Sequence, residues 1–245
     1  MSARTLLVRG MLVGVAAGLL AYLFATAFGE SPVNSAIAFE AAHTPPGDHD
    51  PELVSRTVQS TLGLAAAVVV YGAALGGIVA LVFAVVYGRL GRLAARPTAL
   101  LVAAAGFVAV ELVPFLIYPA NPPAVGSSET IGRRTALYFT MIGITVAAGI
   151  GATLLGRNLT ARLGTWNAAL IAAATFVAVV AAGAALLPAV DEVPADFPAT
   201  VLWRFRLASV GTQLVLWTTI GLLFGALTER GERRRTGALR SAPPG

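Results

Sequence analysis

Between Arg56 and Arg89 the chain runs for 32 residues without a single charge. A helix that crosses a bilayer needs about 20 mostly apolar residues, and no water-soluble fold has a use for so long an uncharged run. Runs of the same kind recur along the sequence. Over 245 residues, 57% are hydrophobic and only 12% charged, against roughly 25% charged in ordinary globular domains. These proportions exclude a disordered chain, a coiled coil and a soluble enzyme of ordinary type. They specify an integral membrane protein.

Six apolar runs are long enough to span, at about residues 6–28, 60–87, 98–118, 135–155, 165–187 and 207–227. They are continuously apolar and lack the alternation of membrane strands, so a β-barrel is excluded. The predicted fold is all-α, a polytopic bundle of six spans forming one membrane domain over residues 1–228. Residues 29–59 form an acidic, histidine-containing outer loop, and 229–245 a polar tail.

Every one of the 17 basic residues is arginine, and sorting them by loop predicts the orientation. Twelve fall on the side that holds both termini, the 88–97 loop and the 156–164 loop; five fall on the other. By the positive-inside rule both termini are cytoplasmic. Nine of the 12 acidic residues lie on the opposite, outer side. Arginines scattered between apolar runs serve topology, so no nucleic-acid partner is expected; the partner is the lipid bilayer. Arg4, Arg9 and the Ala25-Thr26-Ala27 sequence also resemble a cleavable signal peptide. Against cleavage, Gly10, Gly14 and Gly18 make a small-residue stripe suited to helix packing.

An internal repeat is suggested by Ala103–Val110 (AAAGFVAV) and Ala172–Val179 (AAATFVAV), 69 residues apart. Pro119-Ala120 and Pro188-Ala189 match at the same offset. The pattern predicts three tandem helical hairpins with arginines at their outer mouths.

Several chemistries are missing. There is no cysteine, hence no disulfide, thiolate ligand or cysteine nucleophile. No P-loop, His-Glu-x-x-His or Gly-x-Ser-x-Gly motif occurs. Both histidines lie in one outer loop, which excludes a bis-histidine haem within the bundle. Neither an enzyme nor a tightly bound cofactor is expected.

What remains points to cations. Glu111 is the one acidic residue inside a span, and a charge there costs about 2.5–3.5 kcal/mol on insertion scales, so such groups face a cavity or a partner. Pro114 removes a backbone donor three residues later, which predicts a kink or break and a freed carbonyl beside the carboxylate. Two readings stay open for Glu111: a cation pathway, or pairing with an arginine such as Arg134. The following stretch, YPANPPAVG, is a rigid turn that presents Asn121 either to an ion or merely to solvent. In the first outer loop, His43, Asp48, His49 and Asp50 stand with Glu40 and Glu52. Imidazole with carboxylate suits Co²⁺, Ni²⁺ or Zn²⁺, while Pro45-Pro46-Gly47 reads as a flexible, solvated segment. Asp191, Glu192 and Asp196 make the third outer loop acidic as well.

Longer motifs carry a resemblance. AIAFE with its His- and acid-containing loop, ELVSRTVQ, YGAALGG, VPFLIYPANPPAVG, ETIGRRTALY, LGTWNAAL, PAVDEVPADFPATVLWRFRLASVGTQLVLW and FGALTER resemble the CbtA family over nearly the whole chain. The resemblance implies a membrane subunit of a prokaryotic cobalt transporter in the plasma membrane, taking up Co²⁺ for cobalamin synthesis. It also implies a small single-helix partner, CbtB, with a histidine-bearing metal motif. Family members often carry denser histidines in the first loop than His43 and His49, which gives a histidine-bearing partner more to do here. Family accounts often count five spans, the first helix being the source of the difference. Two rival readings stand beside this one. One is a permease for another divalent cation such as Ni²⁺. The other is a non-transporting scaffold that binds a partner through the Gly-rich faces Gly72–Gly76 and Gly221–Gly225.

Overall fold

The computed structural model describes residues 2–45, 54–89, 91 and 93–241. Among these the chain is helical, with no strand. We number the helices α1 (Ala3–Phe28), α2 (Glu30–His43), α3 (Arg56–Val86), α4 (Ala95–Ile117), α5 (Ile131–Leu186) and α6 (Ala199–Ser241). All but α2 are long and apolar enough to cross a membrane.

The seam between α1 and α3 is built from glycine. Gly10 lies on Gly76, Gly14 on Gly72, and Gly18 on Val68 and Val69, so the two helices run antiparallel with backbones in contact. A methyl carbon on Gly76 would stand 2.9 Å from the Cα of Gly14, and one on Gly18 would stand 2.8 Å from the Cα of Val69. Small residues at four-residue spacing allow this approach, and dispersion across it replaces the hydrophobic drive that lipid cannot supply. Helix α6 repeats the device on α4. A Cβ on Gly221 would meet that of Ala103 at 2.9 Å, and one on Gly225 would meet the Cα of Arg96 at 3.0 Å. The faces Gly72–Gly76 and Gly221–Gly225 are therefore occupied within the chain. A scaffold that binds a partner would therefore have to use other faces than these two. Leu6, Val13, Ala17, Val79, Phe83, Leu216, Trp217, Ile220 and Phe224 fill the common core of α1, α3, α4 and α6. Helix α1 supplies much of that core.

Helix α5 is 56 residues long, about 84 Å at 1.5 Å per residue, far more than a bilayer of about 30 Å takes up. It reverses at Gly164, where φ 75° and ψ 163° leave the helical region. Beyond the turn Ala172 returns to Gly156, Phe176 to Gly149, and Gly183 to Ile144. Residues 131–163 and 165–186 thus form an antiparallel hairpin, close to the two runs expected at 135–155 and 165–187. Glycine at 164 is required because its φ is one that L side chains rarely adopt.

Two expectations need correction. Residues 30–43 are not loop but helix α2, with Glu30 in the first turn, His43 in the last, and Pro32 and Ala36 buried. The expected polar tail continues α6 as far as Ser241, because Glu, Arg, Ala and Leu are all good helix formers. Nor do the contacts follow three equal hairpins. Helix α4 packs mainly on α6, while α5 and α6 hardly touch. Of the two repeated segments, 103–110 runs into a widened turn, whereas 172–179 is ordinary α-helix.

Replacing Gly14 by valine should force the seam apart and destabilise the protein by about 1–3 kcal/mol, the cost of overpacking. Gly143, where an added Cβ meets nothing within 4 Å, is the control. Thermal melting in detergent should show Gly14→Val well below wild type and Gly143→Ala unchanged or higher. Equal melting of the two variants would contradict the seam.

Candidate functional site

The predicted break at Pro114 takes another form. The helix stays continuous but widens into a π-turn over Phe107–Leu112 before Val113–Ile117 completes it. Pro114 has no N–H to offer the carbonyl four residues back, and that carbonyl, of Val110, instead accepts the Tyr138 hydroxyl at 3.5 Å. The Ala109 carbonyl accepts the Thr145 hydroxyl. Both hydroxyls come from α5, so the freed carbonyls dock the hairpin rather than wait for an ion. Such π-turns interrupt helices mostly at functional sites.

Glu111 lies inside this turn. It is buried, at 9% exposure, and it is the only acidic residue buried among those described. It forms no ion pair among the described residues; Arg134 pairs with Glu192 instead, at 3.5 Å. Around it stand groups from three other helices: Tyr71 of α3, Tyr138 of α5, and Gln213 of α6, which faces Tyr71. The Oε1 atom of Gln213 and, one turn further along α6, the Nε1 atom of Trp217 are buried without hydrogen-bond partners.

A cavity of about 370 Å³ opens above Glu111, with Phe115, Tyr118 and Tyr138 on its walls and Asn121, Arg134, Asp191, Glu192 and Arg206 toward its mouth. Glu111 and Asn121, expected separately from the sequence, line the same space. The YPANPPAVG turn is held by Tyr118, whose hydroxyl donates to the Pro188 carbonyl at 3.0 Å. Asn121 Oδ1 accepts from Arg206 at 3.1 Å, so its amide oxygen is already engaged by a guanidinium. Ala124 adopts φ 66°, backbone strain of the kind that persists at functional sites. Gly126, at φ 106°, leaves room for the Arg134 guanidinium, whose central carbon would lie 2.7 Å from an added Cβ.

The three outer segments converge over this mouth. Glu192 accepts from the Ser127 amide at 3.1 Å and from the Thr130 hydroxyl at 3.0 Å. Ala36, Val125 and Phe197 form a small apolar cluster beside it. His43 Nδ1 bonds the Phe39 carbonyl at 2.8 Å, and its Nε2 faces Asp196 Oδ2 at 3.0 Å. Asp48, His49, Asp50 and Glu52 lie outside the described residues. Among the described residues no three His, Asp or Glu side chains come together as a metal site.

The opposite end is shut. Phe83, Trp217 and Phe224 fill the core, and polar ties close it below them. Arg96 meets Glu229 at 3.1 Å, Tyr87 donates to Glu232 at 3.1 Å, and Arg9 donates to Thr228 at 3.3 Å.

The Thr130 hydroxyl, helped by the Ser127 amide and by Arg134 and Arg133, holds the Glu192 carboxyl below its ordinary pKa. A lowered folded value gives stability that is present above the ordinary carboxylate range and lost as pH falls through the lowered one. The melting difference between wild type and Glu192→Gln should be widest near neutral pH and close below about pH 4. A difference that ignores pH would contradict the assignment.

These features define a class: a polytopic helical membrane protein whose one buried acid among the described residues, Glu111, forms no ion pair among them and lines a cavity. Residues 3–229 match the family model described as "Probable cobalt transporter subunit (CbtA)", so the chain belongs to that family. No curated protein and no solved structure matches the chain significantly.

Proposed function

We propose that the chain is the membrane-embedded subunit of a Co²⁺ uptake transporter in a prokaryotic plasma membrane, serving cobalamin synthesis. It crosses the bilayer six times with both termini in the cytoplasm, and it is a permease component without enzymatic activity or a resident cofactor. The observation that carries this reading is Glu111, an acid without an ion-pair partner at the floor of the cavity. The 12 arginines that the sequence assigns to the side holding both termini support placing the cavity mouth outside, where a cation begins its passage.

The outer loops collect the ion by charge, with His43 and Asp196 as the first pair of donors. The Nδ1 contact with the Phe39 carbonyl orients the His43 ring and leaves Nε2 toward the ligand, as in many imidazole–metal sites. Asp48, His49 and Asp50, outside the described residues, are further candidate donors by sequence alone. Asn121 holds Arg206 at the mouth, and the ion then descends to Glu111. Inward release requires the ties of Glu229 and Glu232 to part. A divalent ion moving inward gains about 4.6 kcal/mol per 100 mV, twice the value for one charge, enough for roughly a thousandfold gradient. A small single-helix, CbtB-like subunit is the expected partner. Imidazole and carboxylate also suit Ni²⁺, so selectivity is read from competition between the two metals.

The test is uptake of radioactive cobalt by cells at matched expression. Glu111→Gln should lower uptake about tenfold or more, at least the loss seen when a metal site loses an outer-shell partner. His43→Ala should weaken apparent affinity while leaving the maximal rate largely intact. Full uptake by Glu111→Gln would remove the carboxylate from the pathway.

A further inference from the structure

A second concavity lies at the closed end, between the first turns of α1 and the last apolar turns of α6. It is an open groove of about 790 Å³. Arg4, Val8 and Leu12 recur at four-residue spacing and share one face of α1, and Leu223 and Leu227 face them from α6. Leu12 is 66% exposed and Val8 48%. No acidic residue lines the groove. Arg9 is tied to Thr228 across its floor at 3.3 Å, whereas Arg4 is exposed and forms no ion pair among the described residues.

The groove is polar where Ser2, Arg4, Thr5 and Arg9 line it and apolar along Leu12, Val13, Ala16, Leu223 and Leu227. From Arg4 to Ala16 it climbs about 18 Å at 1.5 Å per residue, close to the hydrocarbon depth of one leaflet, half of about 30 Å. A guanidinium at the headgroup level above a leaflet-deep apolar channel has the shape and charge of a phospholipid with a net negative headgroup. Basic recesses between helices at a membrane face take such headgroups. The first turn of α1 adds the positive end of a helix dipole on the same side.

We propose that this groove is a binding site for one anionic phospholipid, its phosphate at Arg4 and one acyl chain along Val8, Leu12, Leu223 and Leu227. The bound chain bridges α1 to α6 next to the Arg9–Thr228 tie. The site depends only on membrane embedding, so its failure leaves the transport reading untouched.

The test uses the full-length protein in detergent, with native mass spectrometry and thermal melting. Added phosphatidylglycerol should remain bound as one molecule and raise the melting temperature more than phosphatidylcholine does. Arg4→Gln should weaken its retention about fivefold, the effect of one interfacial arginine. Ala16→Phe, which obstructs the apolar end, should weaken both lipids while melting like wild type without lipid. Equal retention of the two lipids by wild type would overturn the proposal. So would unchanged phosphatidylglycerol retention in both variants, or stabilisation by inorganic phosphate as large as that by the lipid.

Discussion

A polar group in an apolar layer must find its partner within the protein, and the upper half of the molecule follows from how α4 meets that demand. Pro114 leaves the Val110 carbonyl without its helical donor, and the π-turn displaces the Ala109 carbonyl too. Tyr138 and Thr145 supply the missing hydroxyls. Those two bonds fasten α5 to α4, although most of the α5 hairpin is otherwise exposed. The fastened hairpin makes one wall of the cavity, and the widened turn directs Glu111 toward that cavity. A regular helix at 107–112 would remove the reason for both.

The two ends of the bundle are built from different materials. Toward the closed end, glycine seams bring backbones together and aromatic side chains fill what is left. Of the arginines there, Arg96 and Arg233 meet Glu229, and Arg9 meets Thr228. Toward the open end, helix contacts give way to hydroxyls, amides and carboxylates in irregular segments, with Glu192 binding three partners at once. Polar connections at the open end leave a cavity lined by carboxylate, amide and guanidinium groups beside Glu111.

Much of this was legible in the sequence because charges are scarce in it. Uncharged runs located every long helix, although α6 begins at Ala199 rather than near 207 and the first arm of α5 runs on to 163. The turn at Gly164 falls at the end of the loop marked by Arg157 and Arg162. Glu111 and the Pro114 irregularity could be singled out because both are costly in a membrane. The form of the irregularity was not legible, since a π-turn depends on hydroxyls 28 and 36 residues away. Tyr71 and Tyr138 were overlooked as site residues. Their one signal was position, since tyrosine normally collects at membrane interfaces and these two sit on helices within electrostatic reach of Glu111. Helix α2 was hidden by its mixed composition, because its stability comes from Ala36 and the Phe39–Phe197 contact. The pairing of His43 with Asp196, some 150 residues apart in sequence, has no sequence signature at all.

Glu111, the one acidic residue buried among those described, is proposed to hold a divalent cation in the outer cavity. Equilibrium binding of Co²⁺ to the purified protein, followed by isothermal titration together with cobalt X-ray absorption, addresses this proposal directly. Wild type should bind the ion through oxygen donors, and Glu111→Gln should lose this binding while His43→Ala retains it. Binding of equal strength and unchanged coordination in Glu111→Gln would contradict the proposal.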